Sequence, residues 1–216
     1  MMHGETVVLV HGLWMHGVVM EVQRRYLERL GFDAVRYSYP SARLTLTENA
    51  ARLAHYVRAL NAPRIHWVAH SLGGLVTLHM IDRAPDLPPG RVVLLGTPYR
   101  ACEARRAGAA TWLGSRMNGR SLREWLAIER PAPVSGREIG VIAGRIGFGL
   151  GRVVARGLPQ PHDGAVAVAE TEITTARDRI VLRVSHTGML FSREVARQTA
   201  AFLRDGRFEH NAERAN

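Results

Sequence analysis

The 216-residue chain contains no lysine: all 29 of its basic residues are arginine. Such one-sided usage reads as genomic base composition more than as chemistry. Cysteine is nearly absent as well. The single Cys102 excludes an intramolecular disulfide framework and a cysteine-based zinc cluster, in keeping with a reducing compartment. No apolar run approaches the ~18 residues of a membrane-spanning helix. The opening Met1-Met2-His3-Gly4-Glu5 has neither the basic start nor the long apolar segment of a leader, so a cytoplasmic location without a transmembrane segment is expected. Phosphate-loop and metal signatures are missing too. Gly144, Gly147, Gly149 and Gly151 follow an apolar run but do not match Gly-x-Gly-x-x-Gly, no Gly-Lys-Ser/Thr occurs, and no His-x-His or His-Glu-x-x-His spacing appears. No cofactor and no metal are expected.

At 46% hydrophobic composition the chain is long enough to bury a sizeable core, and the expectation is a single domain over residues 1–216. The net charge is +10. It is uneven: Arg100 to Arg156 holds 11 arginines against Glu103, Glu124, Glu129 and Glu138, a local balance of +7. A solvated arginine-rich face accounts for this stretch, with peripheral contact to anionic surfaces as the alternative. Nucleic acid is not an expected partner, since zinc-finger spacing and RNA-binding aromatic motifs are lacking.

Six short apolar runs recur along the chain: Thr6–Val10, Ala34–Ser38, Ile65–Ala69, Arg91–Leu95, Ile139–Ala143 and Ile180–Val184. Their brevity and β-branched content predict buried strands. Between them lie helical stripes. In Leu44–Leu60, Thr45 and Glu48 form a capping-box pattern ahead of Ala50, Leu53, Ala54, Val57 and Leu60. Weaker stripes run through Val19–Leu30 and Ser192–Leu203. Strands alternating with helices predict an α/β fold, a six-stranded mostly parallel sheet with helices on both faces. Thr97–Glu138 departs from the rhythm; its Trp112, Leu113, Met117, Leu122, Trp125 and Leu126 predict one or two amphipathic helices, either covering the sheet or forming a small cap or flap. Gly144–Gly164 reads as an extended loop.

The most informative stretch is His70-Ser71-Leu72-Gly73-Gly74, between the apolar run Ile65–Ala69 and the helical Leu75-Val76-Thr77-Leu78. A serine at a strand-to-helix turn is forced toward strained backbone, and the turn closes only if the residues two before and two after are small, as Ala69 and Gly73 are. Such a turn displays the hydroxyl and sets the Leu72 N–H beside any carbonyl it attacks. A serine nucleophile needs a base and a carboxylate that holds the base's tautomer. His186, in a turn between the last strand and the last helix, is the expected base. Asp163, in the turn-forming Asp163-Gly164 pair, is the expected acid; Asp178, Glu170 and Glu172 are its rivals. The glycine turn His11-Gly12-Leu13-Trp14 after the first strand offers the Leu13 N–H as second oxyanion donor. His11 is expected to pack or bond locally, and His16 and His70 need no role.

These segments together resemble the α/β-hydrolase superfamily, and within it the small lidless bacterial lipases and esterases of the Bacillus lipase A type. Val10-His11-Gly12-Leu13 looks like their oxyanion turn and Ala69-His70-Ser71-Leu72-Gly73-Gly74 their elbow. Leu95-Gly96-Thr97-Pro98 looks like the strand end that follows it, Asp163-Gly164-Ala165-Val166 their acid turn, and His186-Thr187-Gly188-Met189-Leu190 their base turn. The resemblance implies a compact six-stranded version of that fold and cofactor-free hydrolysis of a small-molecule or lipid-like ester. Trp14, Trp112 and Met189 are the expected substrate-binding side chains. Three alternatives stay open: acyl transfer to an alcohol or amine, cleavage of a thioester or amide by the same triad, and a non-catalytic binding protein on this scaffold.

Overall fold

All six apolar runs form strands of one sheet. The computed structural model describes residues 5–100, 119–128, 136–147 and 158–210. The strands are β1 (Glu5–Val10), β2 (Asp33–Tyr37), β3 (Arg64–His70), β4 (Val92–Leu95), β5 (Ile139–Gly144) and β6 (Asp178–Leu182). They lie in the order β2-β1-β3-β4-β5-β6, every neighbouring pair parallel. The chain leaves β1 toward β2 and returns to β3 on the other side, so the crevice between β1 and β3 is a topological switch point.

Period-two alternation divides the core. Val8, Val10, Trp67, Ala69, Leu94 and Val141 face one layer, whereas Val7, Leu9, Val68, Val93, Leu95 and Ile142 face the other. On the first side pack α2 (Leu46–Ala59), α3 (Leu72–Arg83) and α4 (Gly119–Ala127); on the second pack α1 (Glu21–Arg29) and α5 (Arg193–Asp205). Buried leucines such as Leu53 each stabilise this arrangement; truncation to alanine costs about 2–5 kcal/mol in a close-packed core.

Helix starts follow the local signals. The capping box is complete: the Thr45 hydroxyl accepts from the Glu48 N–H at 3.1 Å, and the Glu48 carboxylate accepts from the Thr45 N–H at 2.8 Å. The predicted Val19–Leu30 stripe divides into a 3₁₀ turn, Gly17–Met20, and α1. Ser192 caps α5, accepting from the Val195 N–H at 3.3 Å, and Gly206 ends it at φ 70°.

Within Thr97–Glu138 the described helix is α4. Its Leu122, Trp125 and Leu126 are buried, and the Trp125 ring lies 5.6 Å from that of Tyr99, so this part covers the sheet. Glu124 joins it to α2, accepting from the backbone N–H groups of Leu46 and Thr47 at 2.6 and 3.3 Å. Trp112, Leu113, Met117 and Cys102, like the loop glycines Gly149 and Gly151, lie outside the described residues. Not every arginine of the basic stretch is solvated. Arg137 stacks on the buried Trp67 ring at 4.7 Å and donates to the Pro88 and Leu87 carbonyls at 2.7 and 2.9 Å. Among the described residues no helix is long and apolar enough to cross a membrane.

Candidate active site

Parallel register aligns the carboxyl ends of the central strands: Val10 pairs with Ala69, His70 with Leu95, and Leu95 with Ile142. The turns that follow therefore emerge side by side at one edge. Ser71 stands where β3 becomes α3, at φ 53° and ψ −123°, a conformation that L-residues rarely adopt. Its N–H donates to the Leu95 carbonyl at 2.9 Å. Gly73 makes the turn possible: a Cβ there would come within 2.4 Å of the His11 carbonyl oxygen and 2.6 Å of that of Val10. The first turn of α3 thus lies directly against the end of β1.

His186 and Asp163 meet across 23 residues of chain. The His186 Nδ1 and Asp163 Oδ2 are 2.7 Å apart, and the His186 backbone N–H donates to the Asp163 carbonyl at 2.9 Å. The other carboxylate oxygen, Oδ1, accepts from the N–H groups of Ala165 and Val166 at 2.9 and 2.7 Å. Burial favours the neutral acid. The hydrogen bond and charge of His186, with the two N–H donors, outweigh it and hold the Asp163 pKa below the ordinary value. At pH 7 Asp163 is an anion held against the His186 ring.

Gly96 joins this pair to the serine turn. It follows Leu95, the acceptor of the Ser71 N–H, and a Cβ on it would lie 2.9 Å from Asp163 Oδ2 and 3.1 Å from His186 Nδ1. Its φ of 56° also suits glycine. On the other side of Ser71 runs the glycine turn after β1, where a Cβ on Gly12 would be 3.2 Å from Ser71 Cβ. The Leu13 N–H belongs to this glycine turn, and the Leu72 N–H opens α3 directly after Ser71.

The remaining expected residues sort by environment. The His11 ring takes a single tautomer, because Nδ1 lies 2.8 Å from the Gly12 carbonyl while Nε2 accepts from the Tyr39 N–H at 3.2 Å. Burial lowers its pKa and keeps it neutral. The Tyr39 hydroxyl donates to the His11 carbonyl at 2.9 Å. Asp178 starts β6 at the far end of the sheet and is engaged with the Phe208 N–H and His210. Glu170 accepts from the Ala167 N–H, and Glu172 pairs with Arg100 and Arg179. Met189 is fully buried in the core, its backbone carbonyl held by Gln23 Nε2 at 2.7 Å. Trp14, by contrast, is 68% exposed and has φ 57°. It opens a cleft of about 590 Å³ lined also by Met15, His16, Ser38, Tyr39, Pro40, Ser41, Ala42 and Arg43. Among the described residues no three His, Cys, Asp or Glu side chains converge to hold a metal ion.

Sequence reading missed Gln23, Tyr39 and Ser41, whose side-chain and backbone contacts to Met189, His11 and Trp14 at this edge span 27 residues or more. Nothing local distinguishes these from any other polar side chains. Gly96 carried a signal, since a glycine directly after an apolar strand marks a turn, although its closeness to the Asp163–His186 pair did not show.

A parallel sheet with a strained serine after its third strand and an acid–histidine pair at the same edge defines the α/β-hydrolase class. The model of the Alpha/beta hydrolase family matches residues 7–215, and the chain belongs to that family. A protein of Pantoea ananatis named for carbamate hydrolysis, RutD, is 34% identical over 111 residues, 47% of this chain; the match spans 40% of that protein's length. Among solved structures, the mature lipase BlEst2 of Bacillus licheniformis superposes with a TM-score of 0.71 at 19% identity, over 92% of this chain and 90% of that one. Polyneuridine aldehyde esterase superposes with a TM-score of 0.65 at 13% identity, over 94% and 100%. Likeness at such identities is a likeness of fold.

Proposed function

We propose that the protein is a serine hydrolase of carboxylic esters in which Ser71 is the nucleophile, His186 the base, and Asp163 the residue that orients it. The observation that carries this reading is the 2.7 Å contact between His186 and Asp163 beside Gly96, next to a serine held at φ 53°. Ser71 Oγ attacks the ester carbonyl carbon as His186 Nε2 takes its proton. The Leu13 and Leu72 N–H groups donate to the oxyanion. The tetrahedral intermediate collapses when the carbon–alkoxy bond breaks and His186 returns the proton to the leaving oxygen. Water, deprotonated by His186, then releases the acid from the acyl-enzyme and restores the Ser71 hydroxyl. Asp163 stays ionised throughout and stabilises the imidazolium.

The test is labelling by a fluorophosphonate followed by peptide mapping, together with hydrolysis of nitrophenyl esters. Modification confined to Ser71, and loss of roughly 10⁶ in kcat for Ser71→Ala, is the expected result. Near-wild-type hydrolysis by that variant overturns the assignment.

A further inference from the structure

We infer that the cleft beginning at Trp14 is an acyl subsite selective for acyl chains that end in a carboxylate; this rests on Ser71 being the nucleophile. The direction follows from the strand order. The leaving oxygen must reach His186, which stands over Gly96 on the β4 side of Ser71. The turns after β1 and β2 lie on the opposite side. An acyl chain that extends away from His186 passes Leu13, the residue before Trp14, and enters the cleft.

The cleft is built for such a chain. Its volume of about 590 Å³ suits a small-molecule group, and Trp14, Met15, Tyr39, Pro40 and Ala42 supply apolar and aromatic surface. The Trp14 N–H donates to Ser41 Oγ at 3.1 Å, which fixes the left-handed turn, and the residue is largely exposed at the mouth. Of the polar side chains of the wall, the Tyr39 hydroxyl bonds the His11 carbonyl and the Ser38 hydroxyl accepts from the Gly17 N–H, while His16 is exposed beside them.

Charge decides what the chain ends in. Arg43 is exposed and lines the cleft, and among the described lining residues there is no carboxylate. Beyond it, Arg120 Nη1 donates to the Arg43 carbonyl at 3.4 Å, and Arg120 and Arg123 line an adjoining recess. Among the described residues, the carboxylates beside this recess are committed elsewhere. Glu124 accepts from the first N–H groups of α2, and Glu48 from Thr45, with Arg120 at 4.0 Å. A methylene chain on the aromatic wall with a terminal carboxylate at Arg43 satisfies both halves of the cleft.

The experiment compares kcat/KM for nitrophenyl monoesters of dicarboxylic acids, adipate and suberate, with neutral acyl esters of matched length, using the full chain. The expected ratio favours the carboxylate about fivefold, the worth of one partly exposed charge pair, and falls toward one in about 0.5 M salt. Arg43→Glu inverts the ratio and Arg43→Gln brings it to one, whereas Arg58→Ala, remote at its pairing with Asp86, leaves it unchanged. Hydrolysis of both ester types without preference, or a ratio insensitive to Arg43, overturns this inference alone. A preference that instead follows a carboxylate placed on the leaving group also overturns it. Hydrolysis of neither type overturns the nucleophile assignment and this inference with it.

Discussion

His70 Nε2 donates to the backbone carbonyl of His186 at 3.0 Å, and the two rings lie 4.5 Å apart. The residue before the proposed nucleophile thereby holds the main chain of the proposed base, across 116 positions of sequence. A carbonyl only accepts, so His70 carries its proton on Nε2. His70→Phe removes this donor and is expected to lower kcat for nitrophenyl acetate about 10- to 100-fold through misplacement of His186, with KM little changed. His70→Gln, which keeps an N–H donor, should recover part of the rate. Equal rates for wild type and His70→Phe would show that the bond positions nothing.

Burial, and after it the charge of His186, pushes the His70 pKa down to about 3. An unfolded chain protonates this histidine below about pH 6.5, while the folded protein does not until about pH 3. Stability contributed by neutral His70 is therefore complete above pH 6.5 and is lost as pH falls through that window, by up to about 1.4 kcal/mol per unit. His11, His66 and His79 are shifted in the same direction, burial being the largest cause for each, and add to the slope. Urea melts between pH 7 and 4 should show steeply falling stability, and His70→Gln should flatten the curve. A pH-independent midpoint would contradict the buried, neutral state.

Asp163→Asn preserves shape while removing the charge that holds the imidazole tautomer. By analogy with other serine triads, kcat should fall by about 10⁴. Asp178→Asn affects contacts to Phe208 and His210 at the opposite end of the sheet and should change stability without comparable loss of rate. Stopped ester hydrolysis by both variants separates the two carboxylates; comparable losses would remove Asp163 from its assigned role.

Gly96→Ala places a methyl 2.9 Å from Asp163 Oδ2 at a φ of 56°. Backbone strain alone costs about 1–2 kcal/mol, and the methyl forces the acid–histidine pair apart. Thermal melts should show a lowered Tm, and kcat should fall more than the lost stability explains. A variant with wild-type rate would mean that Gly96 serves only the turn.

Local signals account for much of what was legible. The strands were readable because β-branched runs buried on both faces need no partner to be recognised, and the start of α2 because a capping box is complete within four residues. Ser71 was marked by Ala69 and Gly73, and the 2.4 Å approach of a Gly73 Cβ to the His11 carbonyl oxygen gives the steric reason. Harder cases involved choice among several candidates. The turn-forming Asp163-Gly164 pair favoured Asp163 over Asp178, Glu170 and Glu172, but the surroundings that separate them form only in the folded chain. Trp125 suited either a sheet-covering helix or a flap by its spacing, and its ring lies against Tyr99.

From the sequence alone come the alternation of strand and helix, the serine turn, and the candidate order of serine, acid and histidine, because each rests on periodicity or on sterics within a few residues. Only the tertiary structure decided which side chains meet. The register of β1, β3, β4 and β5 brings Gly12, Ser71 and Gly96 to one edge, and the return of the chain after β6 sets His186 against Asp163 at 2.7 Å. Contacts such as Gln23 to Met189 and His70 to His186 form between residues more than 100 positions apart, and no local pattern encodes them. They exist because packing α1 and α5 on one face of the sheet buries these donors, which then take whatever acceptors the packing brings to them: Gln23 Nε2 donates to the carbonyls of both Met189 and Ser192, and His70 Nε2 to that of His186.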